Sequence, residues 1–303
     1  MTKRALLLVN RHSRKGQRNF AQAVDILNDL GFELIVVPIK SSEHLPQLIQ
    51  KHGRKVDLVI VGGGDGTLNG VVDSLMDMNL PLGILPLGTA NDLARTLNIP
   101  VNIPQACQVI SEGHIKYIDL GWVNGKHFFN VASLGLSVRI TEKLSKGAKR
   151  RWGILAYAFT ALQVISQTRS FRAHIMINGE KIKVKTVQIA VGNGRFYGGG
   201  MAVAEDATID DQRLDLYSLE LKSWWQLFPL LWRLPQGQHG NLAWVRTLEG
   251  EHIEIRTRKK QEINTDGEII TATPAIFRVI PQSLGVFVPR NSLFQLEEKK
   301  RPK

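Results

Sequence analysis

The chain of 303 residues contains one cysteine, Cys107, which excludes an intrachain disulfide and leaves no thiolate cluster for zinc. Such usage suits a reducing compartment, and a cytoplasmic location is the default expectation. No stretch approaches the roughly 20 apolar residues that cross a bilayer, so membrane contact is expected to be peripheral and reversible. The apolar run Ala5 to Val9 breaks at Asn10-Arg11-His12, too early for a signal peptide, and reads as a first strand. Internal repeats and low-complexity linkers are missing too. Acidic residues are in deficit: 39 Lys and Arg against 27 Asp and Glu give a formal charge of +12, which draws polyanions or anionic membrane surfaces. No nucleic-acid recognition motif accompanies that charge, so nucleic acid is not expected as a partner.

What is present is the composition of a globular protein, 43% hydrophobic and 22% charged, long enough for two cores. Up to about residue 120, short β-rich runs alternate with helical-period segments, the pattern of an α/β layer with a parallel sheet. Strands are expected at Ala5 to Val9, Phe32 to Pro38, Asp57 to Val61 and Pro81 to Leu85, with helices over Gln17 to Leu30, Glu43 to Lys51 and Leu68 to Met78. Beyond Tyr117 the texture becomes antiparallel β. Phe171 to Ile177, Asn178-Gly179 and Lys181 to Val191 predict a hairpin, because Asn-Gly supplies the two positive φ angles of a type I′ turn. Further strands are expected at Arg213 to Leu219, His252 to Arg256, Glu262 to Thr265, Glu268 to Thr271 and Ile276 to Pro281, and helical segments at Ile140 to Ser166 and Ser223 to Leu234. The expected organisation is an α/β domain over 1–122, a mainly β domain over 123–290 and a basic tail over 291–303.

The strand Val56 to Val61 runs into Gly62-Gly63-Gly64-Asp65-Gly66-Thr67 and then a helix start. Such a junction gathers unpaired backbone N–H groups and the positive end of a helix dipole, which suits phosphate. Glycine allows close approach of the main chain, Thr67 offers a hydroxyl and Asn69 a cap or a nucleotide contact. Glycines at a tight βα turn can equally serve packing alone. Asp65 among phosphate-binding amides implies Mg²⁺ or a hydrogen-bonding role. No Gly-Lys-Ser/Thr follows, so the loop is not a Walker A motif. The next strand ends in Leu87-Gly88-Thr89-Ala90-Asn91-Asp92, where Thr89 and Asn91 are either helix caps or site residues. Both loops belong at the carboxyl edge of the sheet, where α/β domains bind ligands.

The sequence Gly62-Gly63-Gly64-Asp65-Gly66-Thr67-Leu68-Asn69, followed by Pro86-Leu87-Gly88-Thr89-Ala90-Asn91-Asp92-Leu93-Ala94-Arg95, resembles the catalytic domain of the diacylglycerol-kinase-like lipid kinases. The resemblance implies ATP as phosphate donor with Mg²⁺, bound in a cleft between the α/β domain and an antiparallel β-sandwich. By it, Asn10, Gly63, Gly64, Asp65, Gly66, Thr67, Leu68, Asn69 and Thr89 contact the nucleotide. Asp211 holds Mg²⁺ with the main-chain carbonyls of Thr208 and Arg213, and Glu268 is the general base, supported by Asp266. The sequence departs from the family where proline is lost after Asn10 and where Gln212 stands for glycine. Asp266-Gly267 by itself is an ordinary hairpin turn.

The acceptor implied is a lipid hydroxyl at an anionic membrane surface. Lys143 to Trp152 and the tryptophan-rich Trp224 to Trp232 offer basic and aromatic residues suited to an interface, or to covering the sandwich. The rival readings are a soluble-substrate kinase such as an NAD kinase, and a non-catalytic nucleotide- or lipid-binding regulator. A sheet edge could also pair two subunits into a homodimer.

Overall fold

The computed structural model describes residues 3–10, 14–39, 44–145, 169–194, 196–197, 201–202, 208–221 and 244–292. The chain divides into two compact units, Met1–Leu120 with Pro281–Lys303, and Gly121–Ile280. The final strand passes from the second unit into the first after Ile280, and its Val286 pairs with Leu82 there.

The first unit is built on four parallel strands, β1 (Lys3–Asn10), β2 (Phe32–Ile39), β3 (Leu58–Gly63) and β4 (Leu82–Pro86), in the order β2-β1-β3-β4. Leu6 lies beside Ile35 on one side and Val59 on the other. Ala5 to Val9 and all of β3 and β4 are buried, as parallel strands covered on both faces must be, which is why these segments read as unbroken apolar runs. The helices are α1 (Arg14–Asp29), α2 (Leu45–His52), α3 (Asp65–Asn69), α4 (Val72–Met78), α5 (Asp92–Thr96) and α6 (Ile103–Glu112). Cys107 is buried on α6, and burial pushes its thiol up to about 11, so it stays protonated and unreactive.

The single helix expected over Leu68 to Met78 is two short ones. Gly70 ends α3, its N–H bonded to Gly66 O at 3.1 Å, and α4 restarts from Val71. A Cβ at Gly70 would stand 3.0 Å from Leu45 Cδ1, so the break lets α2 approach closely.

The second unit is an antiparallel β-sandwich. Its elements are the end of β5 (Ile115–Val123), β6 (Lys126–Phe128), β7 (Val131–Gly135), α7 (Leu136–Ser145), β8 (Phe171–Ile177), β9 (Glu180–Thr186), β10 (Gln188–Gly192), the short β11 (Phe196–Tyr197) and β12 (Met201–Ala202), β13 (Leu214–Leu219), β14 (Val245–Gly250), β15 (His252–Thr257), β16 (Glu262–Thr265), β17 (Glu268–Ala272) and the first half of β18 (Ala275–Phe287). One sheet runs β14-β13-β10-β7-β16-β17, and the facing one joins β18, β15, β8 and β9. Phe128, Leu134, Ile175, Val191, Leu216, Ile253 and Phe277 fill the space between.

The expected hairpin is present: Ile177 pairs with Glu180 around Asn178 (φ 51°) and Gly179 (φ 80°). The strand expected over Lys181 to Val191 is split at Val187. Thr186 still pairs with Phe171 in one sheet, whereas Gln188 pairs with Gly135 in the other, so this segment turns the corner of the sandwich. Of the two helical segments expected here, α7 covers the start of the first. Residues 146–168 and 222–243, with the basic and tryptophan-rich clusters, lie outside the described residues.

Candidate active site

In the first unit the two glycine loops are packed against each other. Leu87 N–H donates to Gly63 O at 3.0 Å, carrying the β3–β4 pairing past the strand ends. A Cβ on Gly88 would lie 2.4 Å from Gly64 Cα and 2.7 Å from Asn91 Oδ1, and one on Gly63 would lie 2.6 to 2.9 Å from the Thr67 side chain. None of Gly62, Gly63, Gly64 or Gly88 has a positive φ. Glycine is therefore required here by close approach of loop to loop, not by backbone conformation.

A carboxylate and an amide complete the arrangement. Asp65 Oδ1 accepts the Leu93 N–H at 3.1 Å, so the first loop caps α5, the helix that follows the second. Asn91 takes a left-handed backbone (φ 51°) and folds its side chain back on Gly88, accepting from Gly88 N at 2.9 Å and donating to Gly88 O at 3.0 Å. The cap expected from Asn91 or Thr89 is thus supplied by Asp65, the hydrogen-bonding role that its carboxylate allowed. Thr89 is exposed at the loop tip. The first N–H groups of a helix have no partner within it, and those of α3 begin at Asp65 and Gly66 beside this junction. Asn69 Oδ1, at the far end of α3, is buried with no partner among the described residues. Asn10 ends β1 beside Ile39.

In the second unit the β16–β17 hairpin turns through Asp266 (φ 47°) and Gly267 (φ 100°). The Asp266 carboxylate accepts three backbone N–H groups, from Phe129 (2.8 Å), Asn130 (3.1 Å) and Val131 (3.1 Å), while its own N–H donates to Val131 O at 3.0 Å. Asn264 Oδ1 accepts the Gly267 N–H at 2.9 Å. The carbonyls of 129 and 130 are held as well: Asn193 Nδ2 donates to Phe129 O, and the N–H groups of Asn193 and Gly194 to Asn130 O. Asp266 thus pins the tip of one hairpin to the start of β7, and Asn193-Gly194 closes the other side. Glu268 follows as the first residue of β17. It is solvent-exposed as a residue, yet enough protein surrounds its carboxyl that desolvation raises the pKa above the ordinary carboxylate value. Sequence reasoning missed Phe129 to Val131 as the anchor; its one signal was Asn130, a lone polar residue within the apolar run Phe128 to Ala132.

The turn expected to hold Mg²⁺ is arranged around an arginine. The Asp211 carboxylate accepts the N–H groups of Thr208 (3.1 Å) and Arg213 (3.4 Å), and the Arg213 guanidinium lies 3.3 Å from Asp211, 3.7 Å from Asp215 and 2.7 Å from Glu249. Gln212 sits at φ 59°, which explains glycine as the residue expected there. The turn carries two carboxylates, Asp210 and Asp211, the second facing the Arg213 guanidinium, and no group of three or more metal-ligating side chains occurs among the described residues. The resemblance implies the Asp211 carboxylate with the main-chain carbonyls of Thr208 and Arg213 as ligands, and no step is derived through an ion here.

An α/β unit with interlocked glycine loops and a β-sandwich unit with an anchored carboxylate turn define a two-domain α/β plus β-sandwich class. Residues 4–123 match the diacylglycerol kinase catalytic domain, and residues 130–288 match the YegS C-terminal NAD kinase beta sandwich-like domain. The chain belongs to the diacylglycerol-kinase-like family of lipid kinases. It is 32% identical to a "Probable lipid kinase YegS-like" of Yersinia enterocolitica over 94% of this chain and 97% of the relative. It is 29% identical to a diacylglycerol kinase of Bacillus subtilis over 81% and 82% of the two chains. A longer uncharacterized protein of Synechocystis is spanned over 57% of its length. A solved structure of a diacylglycerol kinase from Bacillus anthracis, 25% identical, superimposes with a TM-score of 0.76 over 96% of this chain and 98% of that one.

Proposed function

We propose that the chain transfers the γ-phosphate of ATP to a lipid hydroxyl at an anionic membrane surface, with Glu268 as general base. The observation that carries this reading is the Asp266 anchor: three N–H bonds fix a hairpin whose next residue is a carboxylate with a raised pKa. An alcohol attacks phosphorus more readily as its proton leaves, and a base works best when its pKa approaches the working pH. The loop amides, with Thr67 and Thr89, are assigned to the nucleotide phosphates, and Asn10 and Asn69 to its remainder. Mg²⁺ bound with ATP would neutralise phosphate charge, and Asp65, whose Oδ1 accepts the Leu93 N–H, is the carboxylate at the loops. No helix among the described residues is long and apolar enough to cross a membrane.

A second reading, phosphorylation of NAD, is favoured by the sandwich domain's likeness to NAD kinase. Incubation with radiolabelled ATP across a panel of diacylglycerol, phosphatidylglycerol, a sphingoid base and NAD, with products identified by mass spectrometry, separates the two. Label in a lipid supports the lipid kinase; label in NAD alone, or in nothing, overturns it.

A further inference from the structure

The sheet formed by β18, β15, β8 and β9 has one face in the sandwich core and one face open. Ala173, Ile175, Ile177, Val184, Ile253, Ile255 and Phe277 point inward, so the residues between them point outward. On the outer face β9 presents Lys181, Lys183 and Lys185, all exposed. The register sets Lys185 opposite Arg172 and Lys183 opposite His174, with His174 in turn opposite Arg256. Arg278, on β18, lies opposite His252.

Only one acid, Glu254, stands within this array, and its carboxylate is paired with Arg256 at 2.5 Å. Glu254 lies between Met176 and Ile276, which are 41% and 36% exposed. Arg278 stacks over the Trp122 ring at 5.4 Å. At the hairpin-tip end the face is bounded by a cavity of about 760 Å³ lined by Asp211, Glu249 and Glu251, with Met176, His252 and Glu254. The cations are thus gathered towards the β9 edge rather than spread over the unit.

We propose that this outer face, with the β9 lysines along its edge, is a docking surface for an anionic lipid bilayer. The inference rests on the lipid-kinase reading for its choice of partner, and on the charge and side-chain array for its place. Three lysines on alternate positions of one extended strand share one plane, which matches a flat array of negative headgroups. Exposed Met176 and Ile276 among cations add apolar contact at a headgroup boundary, where long basic side chains also rest their stems. A nucleic acid would find no groove here, and Trp122 is already covered by Arg278 instead of offered for base stacking.

Flotation of the full chain with vesicles of phosphatidylcholine alone, and of phosphatidylcholine mixed with phosphatidylglycerol, tests the proposal. The parent binds the mixed vesicles and releases them as salt is raised. Combined Lys181→Ala, Lys183→Ala and Lys185→Ala lowers that binding roughly a hundredfold, with an unchanged Tm and unchanged turnover on a dissolved short-chain acceptor. Equal binding by parent and variant overturns the proposal even if the chain is a lipid kinase. So does salt-insensitive binding by the parent, or tighter binding to duplex RNA than to vesicles through the same lysines. Binding that follows the lysines in a chain that phosphorylates no lipid leaves the surface standing and removes the activity.

Discussion

The glycine loop of the first unit and the hairpin turn of the second both contain an aspartate and a glycine, and the reasons differ. At the Gly62–Thr67 loop a side chain has no room: Gly88 and Gly64 touch backbone to backbone, and neither has an unusual φ. At the Asn264–Glu268 turn there is room in abundance, with nothing within 4 Å of a Cβ on Gly267, but the backbone sits at φ 100°. The aspartates differ likewise. Asp65 accepts one N–H and ties two loops of the first unit; Asp266 accepts three and locks a hairpin of the second. A glycine-aspartate pair in a sequence therefore says little until the contact that demands it is known.

Substitutions can widen or collapse that contrast. The largest effect is expected from Glu268→Gln, which removes the proposed base and lowers turnover by about 10²- to 10⁴-fold in steady-state assays. Because the raised pKa belongs to a base that works deprotonated, parent kcat/KM falls as pH drops through that pKa, above the ordinary carboxylate range. The same shift means that the folded state favours the protonated form. Its stabilising contribution is present at low pH and lost as pH rises through the raised pKa, so Glu268→Gln leaves Tm unchanged or slightly higher near neutrality.

Next comes Asp266→Ala, which strands three N–H groups and is expected to cost about 3 kcal/mol by denaturant titration. Asp65→Ala strands one helix-start N–H and is expected to cost about 1 kcal/mol; equal losses would erase the distinction. Gly88→Ala forces the loops apart at about 1 to 3 kcal/mol, and Gly267→Ala costs about 1 kcal/mol through backbone strain alone. Smallest is the effect of metal removal. With Arg213 at the Asp211 turn, excess chelator leaves the Tm of the nucleotide-free chain unmoved in calorimetry.

Much of this was legible in the sequence because parallel buried strands leave unbroken apolar runs and Asn-Gly announces its turn. β1 to β4 and the β8–β9 hairpin appear within a few residues of where the pattern puts them. Strands β5, β6, β7, β11, β12 and β14 were not foreseen. β7, Val-Ala-Ser-Leu-Gly, mixes small and polar residues on one face because α7 packs there, with Ser137 Oγ at 2.9 Å from Ser133 Oγ, so it shows no clean alternation. The corner at Val187 was invisible since both sheets need apolar residues on either side of it. The site residues were readable as motifs, but Asp65 capping α5 and Asp266 gripping residues 129–131 join positions 28 and more than 130 apart, which no local pattern encodes.

The proposed function divides the labour: the first unit's loops hold the nucleotide, and the second unit's anchored turn supplies the base. ATP affinity by equilibrium dialysis and turnover on the same preparations of Glu268→Gln and Gly88→Ala test it most directly. With labour so divided, Glu268→Gln keeps ATP affinity within a few fold while losing turnover, and Gly88→Ala loses affinity. Turnover of Glu268→Gln within a few fold of the parent, or ATP binding untouched in Gly88→Ala, would contradict it.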